Sequence, residues 1–209
     1  MKTMKLFIWD FDGTLLDTYP NTTGYLRQAL LDLGHDVPQV EILRHMLDTR
    51  VDLTIAYYSR ELDLPNLDEQ YGKYKDQERE DPTPAFRGVR EVLTRIRELG
   101  AENFIFTNRN DTIYPLLERE GLTGLFAEVV TSTSPHFAVK PAPDAIFYLM
   151  EKYGGTKENT VMIGDRVCDL ESGYNAGCRT LHLLTPAVPQ YPPCDWRIRD
   201  FGEMLEMIK

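Results

Sequence analysis

The chain has 209 residues, 42% of them apolar and 27% charged, enough for one large globular domain or a core carrying a smaller insert. A formal net charge of −10 without any Lys/Arg cluster argues against nucleic acid as a partner. No stretch is long enough to cross a bilayer, and the first residues carry no signal-peptide pattern, because the short apolar run ends in Asp10 and Asp12. The three cysteines, Cys168, Cys178 and Cys194, have neither a disulfide-framework nor a metal-ligand spacing. Cys178 precedes an apolar run and reads as a small buried hydrophobe. The expectation is a cytoplasmic protein with no membrane partner.

In chain order, the first element is a short bulky apolar run, Leu6-Phe7-Ile8-Trp9, suited to a buried strand of a parallel sheet. It leads directly into Asp10-Phe11-Asp12-Gly13-Thr14. Helical spacing then runs over 21–33 (stopped by Gly34), 39–47, 51–62 (closed by Pro65) and 67–80, with Val40, Leu43, Met46 and Leu47 along one face of the second segment. Nothing between 18 and 83 reads as a strand, and Asp81-Pro82-Thr83-Pro84 breaks the chain. Residues 18–83 are therefore expected to form an all-helical insert, with 1–17 and 84–209 as the core.

From residue 84 onward strands and helices alternate. Residues 86–99 predict an amphipathic helix with Val89, Val92, Leu93, Ile96 and Leu99 inward, followed by a strand over 103–107 and a helix over 112–120, where Pro115 is tolerated near the first turn. A strand over 128–131, a polar loop over 135–140, a helix over 143–153, a strand over 160–163, a helix over 169–176, a strand over 180–184 and a helix over 201–208 complete the chain. The proline-rich stretch 186–193 predicts an exposed loop. Such alternation requires an α/β fold: a parallel sheet with right-handed crossovers and helices on both faces.

In such a sheet, sites form beyond the carboxyl ends of the strands. Four strand ends carry chemistry here. The first ends in Asp10 and Asp12, the second in Thr107-Asn108, the loop after the third holds Lys140, and the fourth ends in Gly164-Asp165, with Asp169 four residues on. Two carboxylates at the end of a buried strand are costly to hold without a cation or a shared proton. Carboxylate oxygens suit Mg²⁺, and a lysine and a hydroxyl can hold phosphate oxygens. Singly, each feature has an ordinary structural reading: a turn, a strand-end hydroxyl, a surface lysine, an acidic helix start. In this order and at strand ends, they read jointly as a site.

These residues resemble the four motifs of the haloacid dehalogenase-like hydrolase superfamily, its phosphatase branch in particular. Asp10-Phe11-Asp12-Gly13-Thr14 resembles the first motif, Thr107 with Asn108 the second, Lys140-Pro141 the third, and Gly164-Asp165-Arg166-Val167-Cys168-Asp169 the fourth. Ser172-Gly173-Tyr174-Asn175-Ala176-Gly177 is also similar to the run that follows the fourth motif. The resemblance implies a Rossmann-like three-layer core, with residues 18–83 as the helical cap inserted after the first strand, as in phosphoglycolate phosphatases and β-phosphoglucomutases. It further implies a Mg²⁺-dependent phosphatase acting on a small phosphorylated metabolite through an aspartyl-phosphate.

Carried over residue by residue, Asp10 is the expected nucleophile and Asp12 the acid and base. Mg²⁺ is expected on Asp10, Asp165 and the backbone carbonyl of Asp12. Thr107, Lys140 and Asn108 are expected at the phosphate, with Thr14 giving a minor hydrogen bond. Asp169 is expected to orient Lys140 or a metal-bound water, and Asp17 to be structural. In the insert, the loop Asp48-Thr49-Arg50-Val51 resembles the family's substrate-specificity loop, making Arg50 a candidate contact for a second anionic group, with His45 behind it. The acid at position 12 disfavours a dehalogenase. Two alternatives stay open: a sugar phosphomutase using the same aspartyl-phosphate, and a non-catalytic regulator built on the fold. The chain is expected to act as a monomer or small homo-oligomer.

Overall fold

The computed structural model describes residues 1, 3–188 and 192–209. The chain separates into two compact units, Met1–Asp17 with Pro84–Lys209, and Thr18–Thr83.

The larger unit is a six-stranded, all-parallel sheet in the order β3-β2-β1-β4-β5-β6. Its strands are β1 (Leu6–Trp9), β2 (Glu102–Phe106), β3 (Glu128–Val130), β4 (Thr160–Gly164), β5 (Arg179–Leu183) and β6 (Trp196–Ile198). All four residues of β1 are buried, as a strand covered on both faces requires. Alternation along β1 divides its side chains between two cores. Phe7 and Trp9 join one core with α5 (Val89–Glu98), α6 (Ile113–Arg119) and α9 (Phe201–Met207). Leu6 and Ile8 join the other with α7 (Asp144–Tyr153) and Ala176 of α8 (Val167–Ala176). These are the three layers. From β1 the order runs outward to β2 and β3 on one side and to β4, β5 and β6 on the other. The reversal lies between β1 and β4, where an α/β sheet opens a crevice beyond its strand ends.

Inside this frame Asn103 has an unusual role: a fully buried amide that accepts from Trp9 Nε1 (3.0 Å) and donates to the Leu93 (2.9 Å) and Leu125 (3.2 Å) carbonyls. It thereby satisfies the indole of the central strand from its neighbour. Cys178 is buried in the second core.

The smaller unit is all helical: α1 (Tyr19–Asp32), α2 (Gln39–Asp48), α3 (Val51–Glu61) and α4 (Leu67–Lys75), the last continuing into a 3₁₀ turn, Asp76–Arg79. It has its own core, including Leu26, Leu30, Ile42, Ile55 and Leu67. Tyr25 donates from its hydroxyl to Asp81 Oδ2 (2.6 Å), tying α1 to the end of the unit.

Several boundaries and faces differ from the sequence expectation. The helix expected from 67 to 80 is α-helical only to Lys75, and the one expected from 86 begins at Val89 behind Gly88, whose φ of +93° is left-handed. Leu99, expected inward, lies past the last turn of α5 and is 49% exposed. The buried face of α2 is Ile42 and Met46, one turn apart, while Val40 is exposed. Strand β6 is an addition: three residues on a sheet edge give too little alternation to be seen in sequence. Of the loop expected over 186–193, residues 189–191 lie outside the described residues, and 186–188 and 192–193 carry neither helix nor strand.

Candidate active site

The site is built at the carboxyl ends of β1, β2 and β4 and on the loop carrying Lys140. Asp10 leaves β1 still paired, its amide donating to the Ile163 carbonyl of β4 at 2.8 Å. Gly13 takes a φ of +77°, a left-handed conformation that strains other residues, and its amide bonds the Leu16 carbonyl at 2.8 Å. This turn brings the Thr14 hydroxyl back over the strand end. It donates to Asp165 Oδ1 at 3.1 Å and lies 3.5 Å from Asp10 Oδ2. Two strands of distant sequence are thus joined through one hydroxyl.

Lys140, whose side chain is 2% exposed, contacts Asp10 Oδ1 and donates to Asp169 Oδ1 at 2.6 Å. Its ammonium also sits 5.6 Å from the centre of the Phe106 ring. Lys140 is presented by Asn108, whose Oδ1 accepts the Lys140 amide at 2.8 Å and whose Nδ2 donates to the Lys140 carbonyl at 3.4 Å. Asp169 uses its second oxygen on the Arg166 amide (3.0 Å), a helix-start contact that fixes the carboxylate against α8. Gly164 is what lets it approach: a Cβ there would lie 2.3 Å from Asp169 Cβ.

Asp10, Asp165 and Asp169 are all buried, with one carboxylate oxygen of each lying within 4.8 Å of the others. Three acids gathered around the Lys140 ammonium concentrate negative charge in a buried volume. Burial pushes the Asp10 carboxyl up to about 7, with the Asp169 charge adding to the rise and Lys140 opposing it. Burial alone would lower Lys140, yet Asp10 and Asp169 outweigh it and raise its pKa. A divalent cation on hard oxygen donors fits this cluster in both charge and donor type. Lys140 engages one oxygen of both Asp10 and Asp169, but the second Asp169 oxygen accepts the Arg166 amide at 3.0 Å whereas Asp10 Oδ2 has Thr14 at 3.5 Å, so Asp10 and Asp165 are the better candidate ligands.

Thr107 is buried just beyond β2, and its Oγ1 accepts the Arg109 amide at 3.0 Å. Asp12 is placed differently from Asp10. Its carboxylate, 28% exposed, is held by Arg109 through Nε (3.0 and 3.1 Å) and Nη2 (2.7 Å). The two acids of the first motif therefore have separate partners, one in the buried charge cluster and one at its edge.

Two residues of this neighbourhood were not singled out in the sequence. Arg109 had only its position as a cation directly after Thr107-Asn108. His182 is fully buried on β5, paired in register with Gly164, and its Nε2 donates to the Asp165 carbonyl at 2.9 Å. Arg50, in the smaller unit, precedes α3 and forks onto Asp52 (2.9 and 2.6 Å). His45 in the same unit bonds the Thr54 hydroxyl at 3.0 Å and stacks on Tyr57 at 4.2 Å.

Residues 7–183 match the family model of the haloacid dehalogenase-like hydrolases. Among curated proteins, the phosphoglycolate phosphatase of Aliivibrio fischeri is 30% identical over 192 residues, covering 86% of this chain and 84% of its own. A hydrolase structure from Streptococcus pneumoniae is 34% identical with a TM-score of 0.65, over 88% of this chain and 94% of its own. A predicted phosphoglycolate phosphatase from Haemophilus somnus superposes over all of both chains with a TM-score of 0.87 at 22% identity, a likeness of fold. With a match spanning most of its length and the charge cluster described above, the chain belongs to the haloacid dehalogenase-like hydrolase family.

Proposed function

We propose that this protein is a Mg²⁺-dependent phosphatase that hydrolyses a small-metabolite phosphomonoester through an aspartyl-phosphate on Asp10. The observation that carries the reading is Lys140, buried between Asp10 and Asp169 beside Asp165, a charge arrangement suited to receiving both a divalent cation and an anionic ester. Asp10 and Asp165, with the backbone carbonyl of Asp12, would hold Mg²⁺, whose charge offsets the repulsion between a carboxylate nucleophile and a phosphate dianion. Asp10 forms a bond to phosphorus as the bond from phosphorus to the ester oxygen breaks. Asp12, which takes up a proton from solvent as the negative ester enters beside it, gives that proton to the departing alkoxide, then takes one from the water that attacks the aspartyl-phosphate. Breaking the bond between phosphorus and Asp10 frees phosphate and restores the carboxylate. Lys140 and Thr107 stabilise the equatorial oxygens, where charge is spread during transfer, and Asn108 sets the Lys140 backbone. Asp169 orients Lys140, and Asp17 serves structure.

Residues 18–83 are read as the substrate-selecting cap, with Arg50 able to exchange Asp52 for a second anionic group of the substrate. The Aliivibrio fischeri relative makes phosphoglycolate the first ester to try. Phosphate release from a panel of phosphorylated metabolites, with and without Mg²⁺, tests the reading. Mg²⁺-dependent release that Asp10→Asn abolishes is expected. An isomerised sugar phosphate with little free phosphate would move the assignment to a phosphomutase.

A further inference from the structure

Arg109 is more tightly built in than its partner. The side chain is 7% exposed, against 28% for Asp12. Its guanidinium spans both Asp12 oxygens through Nε and reaches Oδ1 again through Nη2, while Nη1 donates to Thr112 Oγ1 at 3.3 Å. The same group lies 5.6 Å from the centre of the fully buried Phe11 ring. Its backbone is held equally: the amide donates to Thr107 Oγ1 (3.0 Å), and the carbonyl accepts from the Ser132 amide (3.0 Å). A single residue therefore ties Asp12, at the end of β1, to Thr107, at the end of β2, and to the loop after β3.

We infer that Arg109 is a positioning residue for the proposed reaction: it fixes the rotamer of the Asp12 carboxylate so that the group meets the ester oxygen and the attacking water at one place. The inference rests on the reading of Asp12 as proton carrier. A partly exposed aspartate samples several side-chain rotamers, and a planar guanidinium gripping both oxygens selects one. The grip is firm because the guanidinium is itself held by Thr112 and Phe11 and has no freedom to follow a wandering carboxylate. Lysine does not substitute, since an ammonium is a point charge on a flexible stem and cannot fork.

The test is a double-mutant cycle on the Mg²⁺-loaded enzyme, using Arg109→Met, Asp12→Asn and the pair, with an alkyl phosphate and p-nitrophenyl phosphate as substrates. Loss of orientation at this scale is expected to lower kcat on the alkyl ester by about 10–100-fold, with KM nearly unchanged. In the Asp12→Asn background the same substitution is expected to change kcat by less than about twofold, because Arg109 then has no carboxylate to orient. With p-nitrophenyl phosphate, whose leaving group needs little protonation, the first-turnover burst survives in Arg109→Met while the steady state falls. A merely structural role would lower both esters and both phases together. Arg109→Lys is expected to fall between wild type and Arg109→Met, and provides the readout if the methionine variant does not fold. Additive losses in the cycle, or a KM effect that persists without Asp12, would overturn the inference and leave Arg109 as a substrate contact or a structural residue. Wild-type enzyme that releases no phosphate from any monoester would instead overturn the functional reading beneath it, and Asp12→Asn with full activity would remove the proton carrier; both take this inference with them.

Discussion

Replacing Lys140 by methionine keeps the length and volume of the side chain and removes only the charge. In the folded protein this leaves Asp10, Asp165 and Asp169 with one carboxylate oxygen each within 4.8 Å of the others and no ammonium among them. Removing one partner of a buried ion pair generally costs about 3–5 kcal/mol. Proton uptake sets a ceiling on that cost. A carboxyl whose ordinary value is 3.8 can be neutralised at pH 7 for about 4 kcal/mol and at pH 5.5 for about 2 kcal/mol, at 1.36 kcal/mol per pH unit. The stability loss should therefore be near 4 kcal/mol at pH 7 and roughly halve by pH 5.5. The sign follows from linkage. Asp10, already raised to about 7, takes up its proton in both proteins, and the variant's folded state binds a further one, on Asp165 or Asp169, that the unfolded chain releases above pH 4, so its stability falls relative to wild type as pH rises.

At about 2–4 °C per kcal/mol for a chain of this size, Tm should fall by about 8–16 °C at pH 7. Tryptophan fluorescence is the assay of choice, because both tryptophans, Trp9 and Trp196, belong to the larger unit and report its melting alone. Millimolar Mg²⁺ should restore part of the loss by mass action on the folded state. A Tm within about 2 °C of wild type at both pH values, unaffected by Mg²⁺, would refute the charge reasoning.

Asn103→Leu leaves the Trp9 indole N–H and the Leu93 carbonyl without their buried partner and should cost about 2–4 kcal/mol in urea unfolding; an unchanged midpoint would count against it. Burial holds the His182 imidazole below its ordinary value, so the stability it contributes is present above pH 6.5 and is lost as pH falls through the lowered value. The Tm difference between wild type and His182→Gln should accordingly shrink between pH 7.5 and pH 5, and a constant difference would contradict it. Gly164→Ala drives a Cβ into Asp169 and should reduce Mg²⁺-dependent turnover at least about 100-fold, more than its effect on Tm explains.

Much of the fold was legible because its signals are local. Alternating strand and helix periods require the parallel sheet, and the buried run Leu6–Trp9 ending in two acids marks the strand at its centre. The strand-end residues Asp10, Thr107, Lys140 and Asp165 could be read as one group because a parallel sheet points its carboxyl ends the same way. What escaped depends on contacts that no period encodes. Arg109 reaches Asp12 across 97 residues of sequence, and His182 reaches the Asp165 carbonyl only through strand register. Asn103 was read only as the first residue of a strand, and its burial as the acceptor for the Trp9 indole N–H is a cross-strand contact that no period encodes. Leu99 and Val40 were misjudged because apolar spacing does not say where a helix stops or which side of a short one is covered.

The proposed mechanism requires Asp10 to carry the phosphoryl group during turnover. Acid-quenching the Mg²⁺-loaded enzyme during turnover of its best ester, then mapping the modification by peptide mass spectrometry, tests it directly. A phosphoryl group is expected on Asp10, accumulating in Asp12→Ala because the attacking water has lost its base, and absent in Asp10→Asn. Phosphate release at an undiminished rate by Asp10→Asn, or a phosphoryl group mapped to any other residue, would contradict it.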